Sequence, residues 1–212
     1  MLGGDSGPVL VDVRWQLGGP SQYPHYLAGH LPGARWCDLE TDLADPPGPG
    51  GRHPLPDPRR LETVLRAWGL TAASSVVVYD QGNSVAAARA WWVLRWAGVR
   101  RVQVLDGGFH AWVGAGRPVS TELPSPATGS ISVRPGSLPT LDADTAAAWG
   151  KVGRLFDVRA AERFRGELEP IDPVAGHIPG AVNLPTTANL QPSGHFLPDA
   201  DLRQRFLAAG VA

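Results

Sequence analysis

Three short apolar runs organise the first half of the chain. Residues 9–13 read Val-Leu-Val-Asp-Val, a continuous apolar stretch broken by one acid, as expected of a strand buried on both faces. Residues 76–79 (Val-Val-Val-Tyr) and 102–105 (Val-Gln-Val-Leu) predict two more strands. Between these two, residues 84–97 have helix-compatible composition and a mixed apolar face. Further helical stretches are predicted over 58–69, 142–149 and 199–210. The order strand, loop, helix, strand implies parallel pairing, right-handed crossovers and helices on both faces of a sheet, so the fold class is α/β. Residues 117–141 are rich in Pro, Ser, Thr and Gly and read as a linker. Within it, residues 130–134 alternate polar and apolar and predict a surface strand.

The chain also repeats itself. Val9-Leu-Val-Asp-Val-Arg14 is followed by Gly29-His-Leu-Pro-Gly-Ala34, and Arg154-Leu-Phe-Asp-Val-Arg159 by Gly176-His-Ile-Pro-Gly-Ala181. The aspartate-to-glycine separations are 17 and 19 residues. Each half continues through a short apolar stretch and a polar loop to a helical segment, ending Ala-Trp-Gly-Leu70 in one and Ala-Ala-Gly-Val211 in the other. Two ordered matches with similar gaps predict two copies of one domain, over 1–118 and 142–212, joined by 119–141. With the first copy as a ruler, the second reaches Ala212 before the strand and loop that correspond to residues 76–86. The expectation is therefore a second domain truncated ahead of that loop.

Composition narrows the function. The 26 Gly and 21 Pro among 212 residues exclude a coiled coil or plain helix bundle. Nineteen basic against 20 acidic residues leave a net charge of −1, which argues against nucleic acid or an acidic membrane surface as partner. The start of the chain lacks a leader pattern and no apolar run reaches membrane-spanning length, so a cytoplasmic location is expected. The six His have no zinc-type spacing, and no metal is expected. The eight Trp fit packing better than nucleic-acid stacking, because no basic stripe accompanies them. Cys37 is the single cysteine, so no intrachain disulfide can form. Its place after the His-Leu-Pro-Gly turn suits a small buried apolar residue better than a nucleophile.

Ligands of parallel α/β sheets bind at the carboxyl ends of strands, which points to the loop Asp80-Gln-Gly-Asn-Ser-Val-Ala86. A short glycine-containing loop entering a helix turns backbone N–H groups inward and adds the helix dipole, making a cradle for an anion. A cysteine at its first position would have a stabilised thiolate. Here that position is Asp80, whose carboxylate can occupy the cradle or cap the helix but is a poor sulfur carrier.

The two Asp-Val-Arg and Gly-His-x-Pro-Gly-Ala motifs, with Leu105-Asp-Gly-Gly-Phe-His-Ala-Trp112, resemble the rhodanese domain. Their duplication, with Arg52-His-Pro-Leu-Pro56, Ala88-Arg-Ala-Trp-Trp92 and Glu162-Arg-Phe-Arg-Gly166, resembles the tandem-domain thiosulfate/3-mercaptopyruvate sulfurtransferases. The resemblance implies transfer of a sulfane sulfur from a small anionic donor to a thiol or cyanide acceptor, through a cysteine persulfide and without a cofactor. It implies a silent first domain, with Asp80 at the silent position, and a nucleophile in a second-domain loop that the ruler places after Ala212. It makes Arg163 a substrate-binding arginine, with Ile171 at or near the place of a second one, and makes His53 and Glu40 a proton relay. From the residues alone, Arg163 could instead pair with Glu162 or Glu167, and His53 could be a satisfied loop residue. His30 and His177 fit structural roles in their turns. The alternative of another class is a non-catalytic rhodanese-like binding or sulfur-relay module.

Overall fold

Residues 7–48 and 51–211 are described by a computed structural model; the amino-terminal residues read for a leader pattern, and Ala212, lie outside them. The chain divides into two compact units between Pro139 and Thr140.

The N-terminal unit holds one parallel sheet of four strands, three from the apolar runs and one, Arg35–Trp36, that the hydrophobic pattern does not predict. They are β1 (Val9–Asp12), β2 (Arg35–Trp36), β3 (Ser75–Tyr79) and β4 (Arg101–Val104), in the order β2-β1-β3-β4. Side chains alternate between the faces, as a two-residue period requires. Val9, Val11, Val76, Val78, Val102 and Val104 belong to the main core. Leu10 and Tyr79, one residue out of phase, join a smaller cluster with Leu31, Phe109 and Trp112. Helices α1 (Tyr23–Ala28), α2 (Leu39–Asp42), α3 (Pro58–Ala67), α4 (Val85–Trp96) and α5 (Gly108–Gly114) complete the unit.

Local chemistry sets α3. The Asp57 carboxylate accepts from the Arg59 and Arg60 N–H groups at 3.0 Å, and Pro58 opens the first turn with its φ already fixed. Leu61 and Leu65, four residues apart, are fully buried on one face. The longer α4 buries Ala86, Ala90, Val93 and Leu94, and its small alanines let it lie close to the sheet.

Residues 119–139, linker-like in composition, are held on the N-terminal unit as a strap. Ser120 pairs with His30 through both backbone bonds, at 2.9 Å each. The expected strand over 130–134 does not form. Its backbone groups are taken elsewhere: Ser130 and Ile131 N–H both donate to the Leu70 carbonyl, and Val133 N–H to Glu62 Oε2. The alternation instead turns Ile131 into the main core. Close contact needs a glycine: a Cβ on Gly129 would stand 2.1 Å from the Leu70 oxygen.

The C-terminal unit holds α6 (Ala143–Val152), β5 (Phe156–Asp157), α7 (Ala161–Phe164), β6 (Val182–Asn183), a 3-10 turn (Thr186–Asn189) and α8 (Asp199–Ala208). β5 and β6 pair in parallel, with Asp157 opposite Asn183 as Asp12 is opposite Trp36. Among its described residues Leu184 is the one apolar side chain buried, while Val152 and Val174 are more than three-quarters exposed. Among the described residues no helix is long and apolar enough to cross a membrane.

Candidate functional site

The two repeated motifs fold into the same hydrogen-bonded arrangement. Arg14 forks onto Asp12, with Nε at 3.0 Å and Nη2 at 2.8 Å, and Nη2 also reaches the Gly29 carbonyl at 2.7 Å. In the second motif Arg159 forks onto Asp157 at 3.1 and 2.7 Å and reaches the Gly176 carbonyl at 2.5 Å. The Asp-x-Arg spacing thus ties the end of the first strand of each motif to its Gly-His turn. The histidines brace those turns. His30 is fully buried, with Nδ1 facing the Tyr26 carbonyl at 2.9 Å and its ring stacked on Tyr26, while His177 stacks on Phe164 and faces that residue's carbonyl at 2.7 Å.

At the carboxyl end of β3 the loop into α4 forms the cradle, and its own first residue fills it. Asp80 Oδ1 accepts from the N–H groups of Gly82 (2.9 Å) and Ser84 (3.1 Å), and Oδ2 from Ala87 (3.1 Å). Asp80 is 2% exposed. Ser84 takes a left-handed φ of 57° to turn its N–H inward. The Leu105–Trp112 motif buttresses the loop from outside: Phe109 N–H donates to the Asp80 carbonyl at 2.9 Å and His110 N–H to that of Gln81 at 3.1 Å. A Cβ on Gly108 would lie 2.6 Å from the Asp80 oxygen, and its φ is +57°, so glycine is required there.

The relay candidates meet on the N-terminal unit. His53 Nε2 lies 3.8 Å from Glu40 Oε1 and has no hydrogen-bond partner among the described residues. Trp15 Nε1 donates to the same Glu40 oxygen at 3.1 Å and meets the His53 ring edge-on at 5.6 Å. Arg89 holds the backbone around them, donating from Nη2 to the carbonyls of Leu43, His53 and Pro54. Burial, then the Arg89 charge, hold the His53 imidazole below its ordinary pKa against the opposing pull of Glu40. Trp15 and Arg89 were given no role by sequence reasoning, although each stands inside or beside a quoted motif.

Arg163 lies in the C-terminal unit and is mostly buried. Its Nη2 donates to Glu169 Oε1 at 2.6 Å and Asp172 Oδ2 at 2.9 Å, and its Nε to Glu169 Oε2 at 3.2 Å. Its partners are these acids of the following loop, not Glu162 or Glu167. The Asp172 N–H, Arg163 and the Ile171 N–H hold Glu169 down to a pKa of about 2. Cys37 is fully buried, and its thiol is pushed well up by desolvation and then by Asp42, Asp38 and Asp12. Among the described residues no group of His, Cys, Asp and Glu is placed to hold a metal.

A family model for the rhodanese-like domain matches residues 1–115, more than half of the chain. The chain belongs to the rhodanese family. It is 48% identical over 206 residues to the "Probable 3-mercaptopyruvate sulfurtransferase" of Pseudomonas aeruginosa, covering 94% of this chain and 72% of that protein. It is 36% identical over 208 residues to the thiosulfate sulfurtransferase of Azotobacter vinelandii, covering 96% of this chain and 72% of that protein. Among solved structures it superposes on SseA of Escherichia coli, described as a 3-mercaptopyruvate sulfotransferase. That match has a TM-score of 0.86 and 29% identity, and covers 98% of this chain and 79% of the other. Within this rhodanese framework the β3–α4 loop stands out as an anion cradle that holds its own carboxylate.

Proposed function

We propose that this chain serves a sulfurtransferase of the two-domain rhodanese type, which moves a sulfane sulfur from thiosulfate or 3-mercaptopyruvate to a thiol or cyanide through a cysteine persulfide. The observation that carries this reading is the loop after β3, an N–H cradle shaped for an anion, in a chain whose relatives are named for these donors. Asp80 fills the cradle of the N-terminal unit, so that unit is the silent copy and its loop a structural brace. Cys37 is buried and its thiol pKa raised, so the nucleophile is not among these 212 residues.

In the proposed reaction the thiolate attacks the outer sulfur of thiosulfate. A new S–S bond forms as the old one breaks, and sulfite leaves with the electron pair. Cyanide or a thiolate then attacks the persulfide's outer sulfur and returns the enzyme thiolate. With 3-mercaptopyruvate the C–S bond breaks instead, and carbon needs a proton. The neutral His53 imidazole, beside Glu40, suits that relay. Arg163 would grip the donor's anionic group, with the donor competing against the more exposed of its two partners, Asp172. With Ile171 near the place of a second arginine, thiosulfate, which needs fewer contacts, is the favoured donor.

The same occupied cradle favours a second reading, a rhodanese-like binding or relay module. Thiocyanate formation tests the exclusion of Cys37 as nucleophile. The 212-residue chain should give none from either donor, and Cys37→Ser should change nothing. Turnover that disappears in Cys37→Ser would overturn the assignment.

A further inference from the structure

The N-terminal unit carries a second polar recess, at the opposite end of the sheet from the Asp80 loop. It is lined by residues just ahead of β3 and β4, by the C-terminal end of α4 and by the strap, and encloses about 730 Å³. Arg95, Arg100 and Arg134 converge on it, with hydroxyls from Thr71, Ser130 and Ser132, and no carboxylate lines it among the described residues. None of the three arginines forms an ion pair among the described residues.

Service to the end of α4 does not account for them. Backbone donors already take the last carbonyls of that helix: Arg134 N–H bonds the Ala97 oxygen at 2.8 Å and Ser137 N–H the Trp96 oxygen at 3.1 Å. Arg95 reaches the Arg100 carbonyl, which fixes one guanidinium at the wall. The Arg100 and Arg134 side chains remain exposed beside it. Three cations in one recess repel each other, and an anion with several negative groups relieves this while using forked donors. The recess is far larger than one phosphate. No aromatic side chain lines it, which removes a stacking platform for a base.

We propose that this recess binds a small oligophosphate, a molecule with two or more linked or neighbouring phosphate groups. It would sit apart from the sulfur chemistry, which belongs to the carboxyl ends of the strands.

Calorimetric titration of the whole 212-residue chain with inorganic tripolyphosphate at low ionic strength tests this. Expected are one site, affinity falling as salt rises, orthophosphate weaker by about tenfold or more, and a similar loss in Arg100→Ala/Arg134→Ala. Arg203→Ala, an exposed arginine of α8, should bind as the parent does. Absent binding, or equal loss in Arg203→Ala, would overturn the proposal. So would a single-stranded RNA bound about tenfold more tightly than tripolyphosphate with the same arginine dependence, because the surface would then read a polynucleotide. Should the double alanine variant fail to fold by circular dichroism, Arg100→Lys/Arg134→Lys keeps the charge and loses the fork. Weakened binding there supports the site, and unchanged binding contradicts forked recognition.

Discussion

A single carboxylate decides what the β3–α4 loop can do. Asp80 accepts three backbone N–H groups that would otherwise face an anion. Each N–H would carry a desolvation cost if left unpaired, so the loop is braced by the residue that occupies it. His53 shows the opposite arrangement, a ring nitrogen held near an acid without a bond to it. Its depressed pKa means that the folded chain prefers neutral imidazole. This contribution to stability is full above the unfolded pKa near 6.5 and fades as pH falls through the lower folded value. Titration of the His53 ring by NMR should give a midpoint below 6.5, and Glu40→Gln should lower it further, because Glu40 is the group that opposes the shift. A midpoint above 6.5 would contradict this environment.

Among the elements, the strap has the clearest energetic consequence. Ile131 is 5% exposed in the main core although its neighbours are polar. Ile131→Ala should cost about 2–5 kcal/mol by urea unfolding, the range for a core isoleucine, whereas the exposed Leu123→Ala should stay within about 0.5 kcal/mol. Equal small effects would mean that the strap is a loose linker. The strap is also where sequence and structure part. Strands β1, β3 and β4 and α3 were legible, because Val-rich runs and an Asp-Pro start each encode one outcome, whereas the two-residue β2 carries no apolar run and forms only by pairing with β1. Alternation over 130–134 encodes only that Ile131 turns inward; whether its backbone finds a strand or the Leu70 carbonyl depends on tertiary neighbours. Asp80's place in the loop was legible from its position after β3, whereas the pairing of Arg163 with Glu169 and Asp172 was not, because nearer acids in the sequence, Glu162 and Glu167, offered the same charge. The roles of Trp15 and Arg89 were not, because they rest on contacts across 25 and up to 46 residues of chain.

At the scale of the whole molecule, the two units carry the same Asp-x-Arg brace around cores of different depth. Charge does in the C-terminal unit part of what burial does in the other. The Arg163–Glu169–Asp172 cluster is held by a carboxylate with a pKa of about 2, below its ordinary 4.5. Its contribution is therefore complete above 4.5 and lost as pH falls from there toward 2. A carboxyl-carbon titration of Glu169 with its midpoint near 4.5 would show that the cluster does not hold in solution. The Asp80 carboxylate sits on three backbone N–H groups where the proposed function would place an anion. Asp80→Cys would show whether that cradle can carry sulfur, read by intact mass after incubation with thiosulfate. The thiolate would meet the N–H groups of Gly82, Ser84 and Ala87, and its pKa should fall below about 8.5. This variant should gain one cyanide-removable sulfur atom, and the parent chain none. A parent chain that takes up sulfur on Cys37, or a folded Asp80→Cys variant that stays unmodified, would contradict this prediction.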